Sequence, residues 1–199
     1  LSCEASVRLV REAKRRGVNV TAEATPHHFT LTDSAVEGYN THAKMSPPLR
    51  HAEDVRAIRE ALSDGTVDAI ATDHAPHGAL DKEVEFDKAA NGVIGLETAL
   101  GLTLELVQQG VLSKERAVEL LTSGPARAFN LPGGHLGPGA PANVVVVDPK
   151  AKWTVNAAEF QSKSRNTPFQ GRNLIGRVAQ TIIAGRVVFD GGKPVEKAE

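Results

Sequence analysis

The spacing of apolar residues divides the chain into two regimes. Up to about residue 130, helical and strand periodicities alternate. Val7, Val10 and Ala13 form one helical stripe, with Arg8, Arg11, Lys14 and Arg15 on the other side and Gly17 as the stop. Residues 18–24 alternate with period two, which predicts a strand ending at Thr25-Pro26-His27-His28. Residues 32–40 are polar and read as a loop. Pro47-Pro48 forbids regular helix and predicts extended backbone over 44–50. Ala52, Val55, Ile58 and Leu62 mark a second helix, and residues 67–72 a buried strand. Residues 81–95 are charged and contain glycine, which predicts a long loop. Three helices follow over 96–109, 113–121 (Ser113 as N-cap) and 125–129. Strand, helix, strand, helix in this order predicts an α/β fold of parallel units.

Beyond residue 131 the pattern changes. Residues 131–141 are rich in Gly and Pro, and short strands follow at 143–148, 153–155, 177–183 and 186–189, with Ala184-Gly185 as a tight turn. The expected division is therefore a β/α portion over 1–131 and a β tail over 132–199. Composition adds exclusions. With 23 basic against 24 acidic residues, no nucleic-acid or membrane surface is expected. Cys3 is alone, which excludes a disulfide framework and suits a reducing compartment such as the cytoplasm. No apolar run approaches a membrane span and no signal peptide is visible. Leu1-Ser2-Cys3 runs almost directly into a helical pattern, as expected for a piece of a longer chain.

The strand over 67–72 ends in Asp73-His74-Ala75-Pro76-His77. Packing gives no reason for this ending. Metal chemistry does, because carboxylate and imidazole are ligands for zinc-like ions, and α/β folds keep active groups at strand ends. An Asp capping the next turn beside two surface histidines is the plainer alternative, and the residues alone leave both open. Other candidates read as structural. Neighbours on a strand point to opposite faces, so at most one of His27 and His28 faces the centre, and a buried, hydrogen-bonded role is expected. His74 is expected to point away from Asp73. Lys44 and Arg50 could attract an anion, although surface charge is commoner. Cys3 reads as a small core residue, with nothing nearby to activate a thiolate. The glycines over 133–139 lack a following Lys-Ser/Thr, so no phosphate loop is expected.

Four segments, taken together and in this order, resemble the C-terminal half of a class I dihydroorotase of the amidohydrolase superfamily. They are Thr25-Pro26-His27-His28, residues 44–50 (Lys-Met-Ser-Pro-Pro-Leu-Arg), residues 71–77, and Asn166-Thr167-Pro168-Phe169. Gly92-Val93-Ile94-Gly95-Leu96-Glu97-Thr98 is also similar to the family's segment after the catalytic loop. The resemblance implies the C-terminal part of a (β/α)8 barrel plus a small β-sandwich tail built from both chain ends. It implies reversible cyclisation of N-carbamoyl-L-aspartate to L-dihydroorotate in pyrimidine synthesis, with one or two Zn2+ ions. Asp73 would be the last metal ligand and the general base/acid. Leu1-Ser2 matches the end of the family's His-[Leu/Val]-Ser motif, so the other ligands are expected upstream. His77 would meet the substrate carboxylate, and Asn91 and Gly92 would hold the pyrimidine ring through backbone contacts. Many members have an aromatic residue at Asn91. Many have Asn at Ser46, where the shorter Ser still offers one donor and one acceptor to substrate.

Opening the ring takes an activated water and a proton for the departing nitrogen, and a carboxylate at a metal can serve both needs. Two other readings stay open: another cyclic amidohydrolase (hydantoinase or allantoinase), or an inactive homologue that scaffolds aspartate carbamoyltransferase. The expected partners are the N-terminal half of the same protein, a second copy in a homodimer, and that carbamoyltransferase. Alone, residues 1–199 are expected neither to bind zinc tightly nor to turn over substrate.

Overall fold

The computed structural model describes residues 1–195. The first helix, α1 (Glu4–Arg15), forms on the expected stripe and buries Val7, with Lys14 and Arg15 in the last turn where cations favour the helix dipole. Strands β1 (Glu23–Ala24) and β2 (Ala69–Ile70) pair in parallel, with Glu23 opposite Ala69 and Ala24 opposite Ile70. Bonds from Asp68 N to Ala22 O (2.8 Å) and from Ala71 N to Ala24 O (3.1 Å) extend the ladder by one step at each end. The strand expected over 18–24 is thus confined to its last residues, where β2 gives it a partner. Between these strands lie α2 (Pro26–Thr30) and α3 (Ala52–Asp64). Helix α3 ends at Gly65, whose φ of 87° suits glycine at a left-handed C-cap.

Helix α2 was not expected. Pro26 occupies the first helical turn, where its missing N–H costs nothing, and converts the end of a strand into a helix start. His27 and His28 therefore sit on one helical turn and are both buried, rather than on opposite faces of a strand. The polar segment after it folds into 3-10 turns over Asp33–Tyr39, broken at Glu37 and Gly38, and over Thr41–Ala43. The expected loop over 81–95 overlaps a short helix, α4 (Ala79–Lys82).

Helices α5 (Ala99–Gln108), α6 (Lys114–Leu121) and α7 (Ser123–Ala128) follow. Ser113 Oγ accepts from Arg116 N at 3.0 Å, as its N-cap position predicts. Arg116 then donates to Leu62 O and Val67 O, fastening α6 to the end of α3 and the start of β2. The tail is an antiparallel sheet in the order β3 (Val144–Thr154), β4 (Asn173–Ile183), β5 (Arg186–Asp190), β6 (Lys193–Pro194). The two strands expected at 143–148 and 153–155 are one, irregular between Asp148 and Lys152, where Pro149 lacks an N–H for the ladder. Ala184-Gly185 makes the expected two-residue turn, with positive φ at both positions.

One hydrophobic cluster spans both regimes. Val7, Phe29, Ile58, Leu62, Ile70, Leu102 and Leu120 share it with Val155, Phe169 and Leu174 of the tail. Helix α5 lies close against β4 because Gly176 has no side chain: a Cβ there would sit 2.2 Å from Leu104 Cδ1. The fold is α/β, with a parallel pair and an antiparallel sheet joined by one core. No helix among the described residues is long and apolar enough to cross a membrane.

Candidate functional site

Because β1 and β2 are parallel and aligned at Ala24 and Ile70, the chain leaves both on the same edge. His27-His28 and Asp73-His74 follow at that edge within a few residues. Asp73 is exposed and has a φ of 46°, a left-handed conformation that Asp tolerates better than most residues. The turn ends at once: His74 bridges Val93 in parallel, and Ala75 N donates to Val93 O at 3.0 Å. Val93 thereby pairs with the segment that leaves β2. His74 Nδ1 accepts from Gly95 N at 3.1 Å, so its ring serves the backbone rather than the Asp73 carboxylate.

His77 is half-buried and points across to residue 91. Its Nε2 lies 2.8 Å from Asn91 O, and since a carbonyl only accepts, Nε2 carries the proton. Gly92 sits behind this pair with φ 120°; a Cβ there would come within 2.5 Å of Ala75 Cβ and 3.3 Å of His77 Nε2. Gly92 N donates to Lys44 O at 3.0 Å, which ties the loop over 44–50 to the same cluster. Ser46 is exposed in that loop. On its other side, His28 Nε2 donates to Pro47 O at 3.0 Å, while its Nδ1 takes the Thr25 hydroxyl at 2.7 Å. The five site residues expected from the sequence thus lie on three backbone segments laced together at one edge.

Electrostatics fit this placement. Burial holds His28 below the ordinary histidine value, opposed chiefly by its hydrogen bond to Pro47 O and least by the Asp73 carboxylate. His27 is lowered to about 3, by burial first and by His28 second, and its buried Nε2 has no hydrogen-bond partner. Asp73 is a reasonable single metal ligand: an exposed carboxylate on a constrained turn. Among the described residues no three His, Cys, Asp or Glu side chains are placed to share an ion.

Two residues beyond the expected set organise it. Asn166, 2% exposed, donates from Nδ2 to Ala75 O (2.9 Å) and Gly92 O (3.1 Å), and its Oδ1 accepts from His77 N at 3.2 Å. It opens the Asn-Thr-Pro-Phe motif, which marked a resemblance without revealing what the amide does. Lys82 is buried and also donates to Gly92 O. Lys44 is neither a surface charge nor free for an anion: its Nζ donates to the carbonyls of Phe86, Asp87 and Ala89. A cleft of about 360 Å³ lies elsewhere, between α5 and the antiparallel sheet, with Leu96, Trp153 and Phe189 in its wall.

Residues 3–188 match the amidohydrolase family. This chain belongs to that family. The amidohydrolase chain is 60% identical over 195 residues to a dihydroorotase of Anaeromyxobacter sp. (strain K), covering 97% of this chain and 45% of that protein. It is 56% identical over 189 residues to a dihydroorotase of Syntrophotalea carbinolica, covering 95% and 44%. Among solved structures, the L-hydantoinase (dihydropyrimidinase) of Arthrobacter aurescens superimposes with a TM-score of 0.93 at 32% identity, over 99% of this chain and 45% of that one. The amidohydrolase chain therefore spans about 45% of the length of the curated relatives it matches. The resemblance to dihydroorotases carried by the four motifs is borne out by these identities.

Proposed function

We propose that this amidohydrolase chain is the C-terminal half of a dihydroorotase, which interconverts N-carbamoyl-L-aspartate and L-dihydroorotate. The observation that carries the reading is the identity of 60% to a chain named dihydroorotase, against 32% to a hydantoinase of nearly the same fold. Backbone geometry is common to both activities, so residue identity discriminates. In this reading β1, β2 and the segment at Val93 continue a (β/α)8 barrel with strands from the rest of the protein. The exposed Val145, Val146 and Val187 of the tail then belong to a sandwich completed from the other chain end.

Asp73 would hold Zn2+ together with ligands from outside this chain. When bound, the metal supplies Lewis acidity and a water acidic enough to lose a proton near neutral pH. Asp73 would take up the proton of the attacking water as its oxygen bonds to the ring carbonyl carbon, and would return it to the ring nitrogen as the carbon–nitrogen bond breaks. Cyclisation runs the same transfers backwards. The bond from His77 Nε2 to Asn91 O leaves Nδ1 as the second ring nitrogen, which would donate to the substrate carboxylate in the imidazolium form. Gly92 N and O are both engaged within the protein, so its part is to leave room, and the backbone N–H of Asn91 is the donor we assign to the ring. Ser46, exposed in the loop tied to Gly92, would offer a hydroxyl.

A hydantoinase-type activity is the second reading, favoured by the TM-score of 0.93. The test is turnover by the full-length protein of dihydroorotate, hydantoin and allantoin in parallel. Dihydroorotate is the expected substrate; turnover of only the other two would sink the assignment.

A further inference from the structure

Lys82 closes α4 and is 1% exposed, yet its ammonium meets no carboxylate among the described residues. Nζ donates to Ala90 O at 2.8 Å and Gly92 O at 3.1 Å, with Lys44 O at 3.4 Å. Burying an unpaired cation is costly, and a methionine would fill the same space without that cost. Burial accordingly pushes Lys82 down to about 8, helped by the nearby Lys44 cation. What the ammonium adds over a methionine is direction. Ala90 and Gly92 turn their carbonyls to Lys82, and their N–H groups go to Asp81 O and Lys44 O. The carbonyl of Asn91, between them, goes instead to His77 Nε2. Lys44 Nζ, on three further carbonyls, folds the rest of the loop around the same pair of cations.

We propose that Lys82 is a positioning residue: by holding the Ala90 and Gly92 carbonyls it fixes the peptide of Asn91, and through it the ring of His77, for substrate. The proposal rests on the substrate-binding roles assigned above to His77 and Asn91. The experiment compares Lys82→Met and Lys82→Arg in the full-length enzyme. K82M is expected to raise KM by about tenfold with kcat changed by less than about threefold, the pattern of lost binding rather than lost chemistry. K82R, which keeps the charge and donors, is expected to recover most of that KM. Amide exchange should show Gly92, whose N–H is held by Lys44 O, protected in the wild type and exposed in K82M.

A folded K82M with wild-type KM overturns the proposal, and so does fast exchange of Gly92 in the wild type. The exchange measurement on the wild type decides the matter if K82M does not fold. Should the wild type act on hydantoin and not on dihydroorotate, the dihydroorotase reading falls, while the same KM comparison on hydantoin still tests Lys82.

Discussion

Asn166 Oδ1 accepts the backbone N–H of His77 at 3.2 Å, across 89 positions of sequence. The same side chain holds the carbonyls of Ala75 and Gly92, so one amide from the segment between β3 and β4 fixes both walls of the candidate site. Asn166→Leu would take the partner from His77 N–H and Ala75 O and leave Gly92 O to Lys82 alone, at about 1–3 kcal/mol for each group left unsatisfied. We expect Tm to fall and KM to rise. Asn166→Asp keeps the acceptor for His77 but turns a carboxylate toward two carbonyls, and should be at least as damaging. Thermal unfolding together with kinetics of the full-length protein checks both. An Asn166→Leu variant with wild-type Tm and KM would show that the amide positions nothing.

Asp73→Asn separates chemistry from folding. Asn is at ease in left-handed backbone, so the φ of 46° is kept without strain and stability should be unchanged. The amide binds a metal poorly and cannot take up a proton, so activity should fall by a factor on the order of 10²–10⁴, the usual worth of a positioned acid/base. Zinc content measured on the same sample should fall with it. Asp73→Ala would add roughly 1 kcal/mol of backbone strain on top. Full activity in Asp73→Asn would remove Asp73 from the chemistry.

Gly92→Ala tests the space behind His77. The new methyl would meet Ala75 Cβ at 2.5 Å, and the φ of 120° is one that side chains avoid. Relief requires the loop to move away from His77. The expected result is a stability loss of about 2 kcal/mol or more and a clear rise in KM, since strained backbone and overpacking each cost on the order of 1–3 kcal/mol. Equilibrium unfolding and Michaelis kinetics read the two effects.

Much of this arrangement follows from local pattern. The stripe of α1, the Ser113 cap and the Ala184-Gly185 turn each depend on neighbours within a few residues, and each formed as expected. The ending at Asp73 is visible for the same reason: an apolar run that stops in an acid is a local anomaly. Helix α2 escaped because the alternation before Pro26 continues smoothly into it, and only the pairing with β2 decides where the strand stops. Lys82 escaped more completely. It lies in a charged stretch that reads as solvated surface, and its burial comes from carbonyls brought over by a folded loop. Asn166 shows the limit at long range, since no periodicity couples residues 74 to 91 positions apart.

His27 offers a test that needs no substrate. Its ring is buried, its Nε2 has no partner, and it is lowered to about 3, chiefly by burial. An unfolded chain would hold the same histidine near its ordinary value of about 6.5. Between those values the unfolded state binds a proton that the folded state refuses, so stability rises with pH across that window and is lost as pH falls through it. The slope from one such group approaches about 1.4 kcal/mol per pH unit. His28 is lowered too and adds in the same direction. His27→Leu removes the titrating ring and sacrifices no bond at Nε2, so it should be close to neutral in stability at pH 8 and more stable than the wild type at pH 5. Urea unfolding midpoints at the two pH values measure the difference. Equal acid sensitivity in His27→Leu and wild type would mean that His27 is not the buried neutral group described.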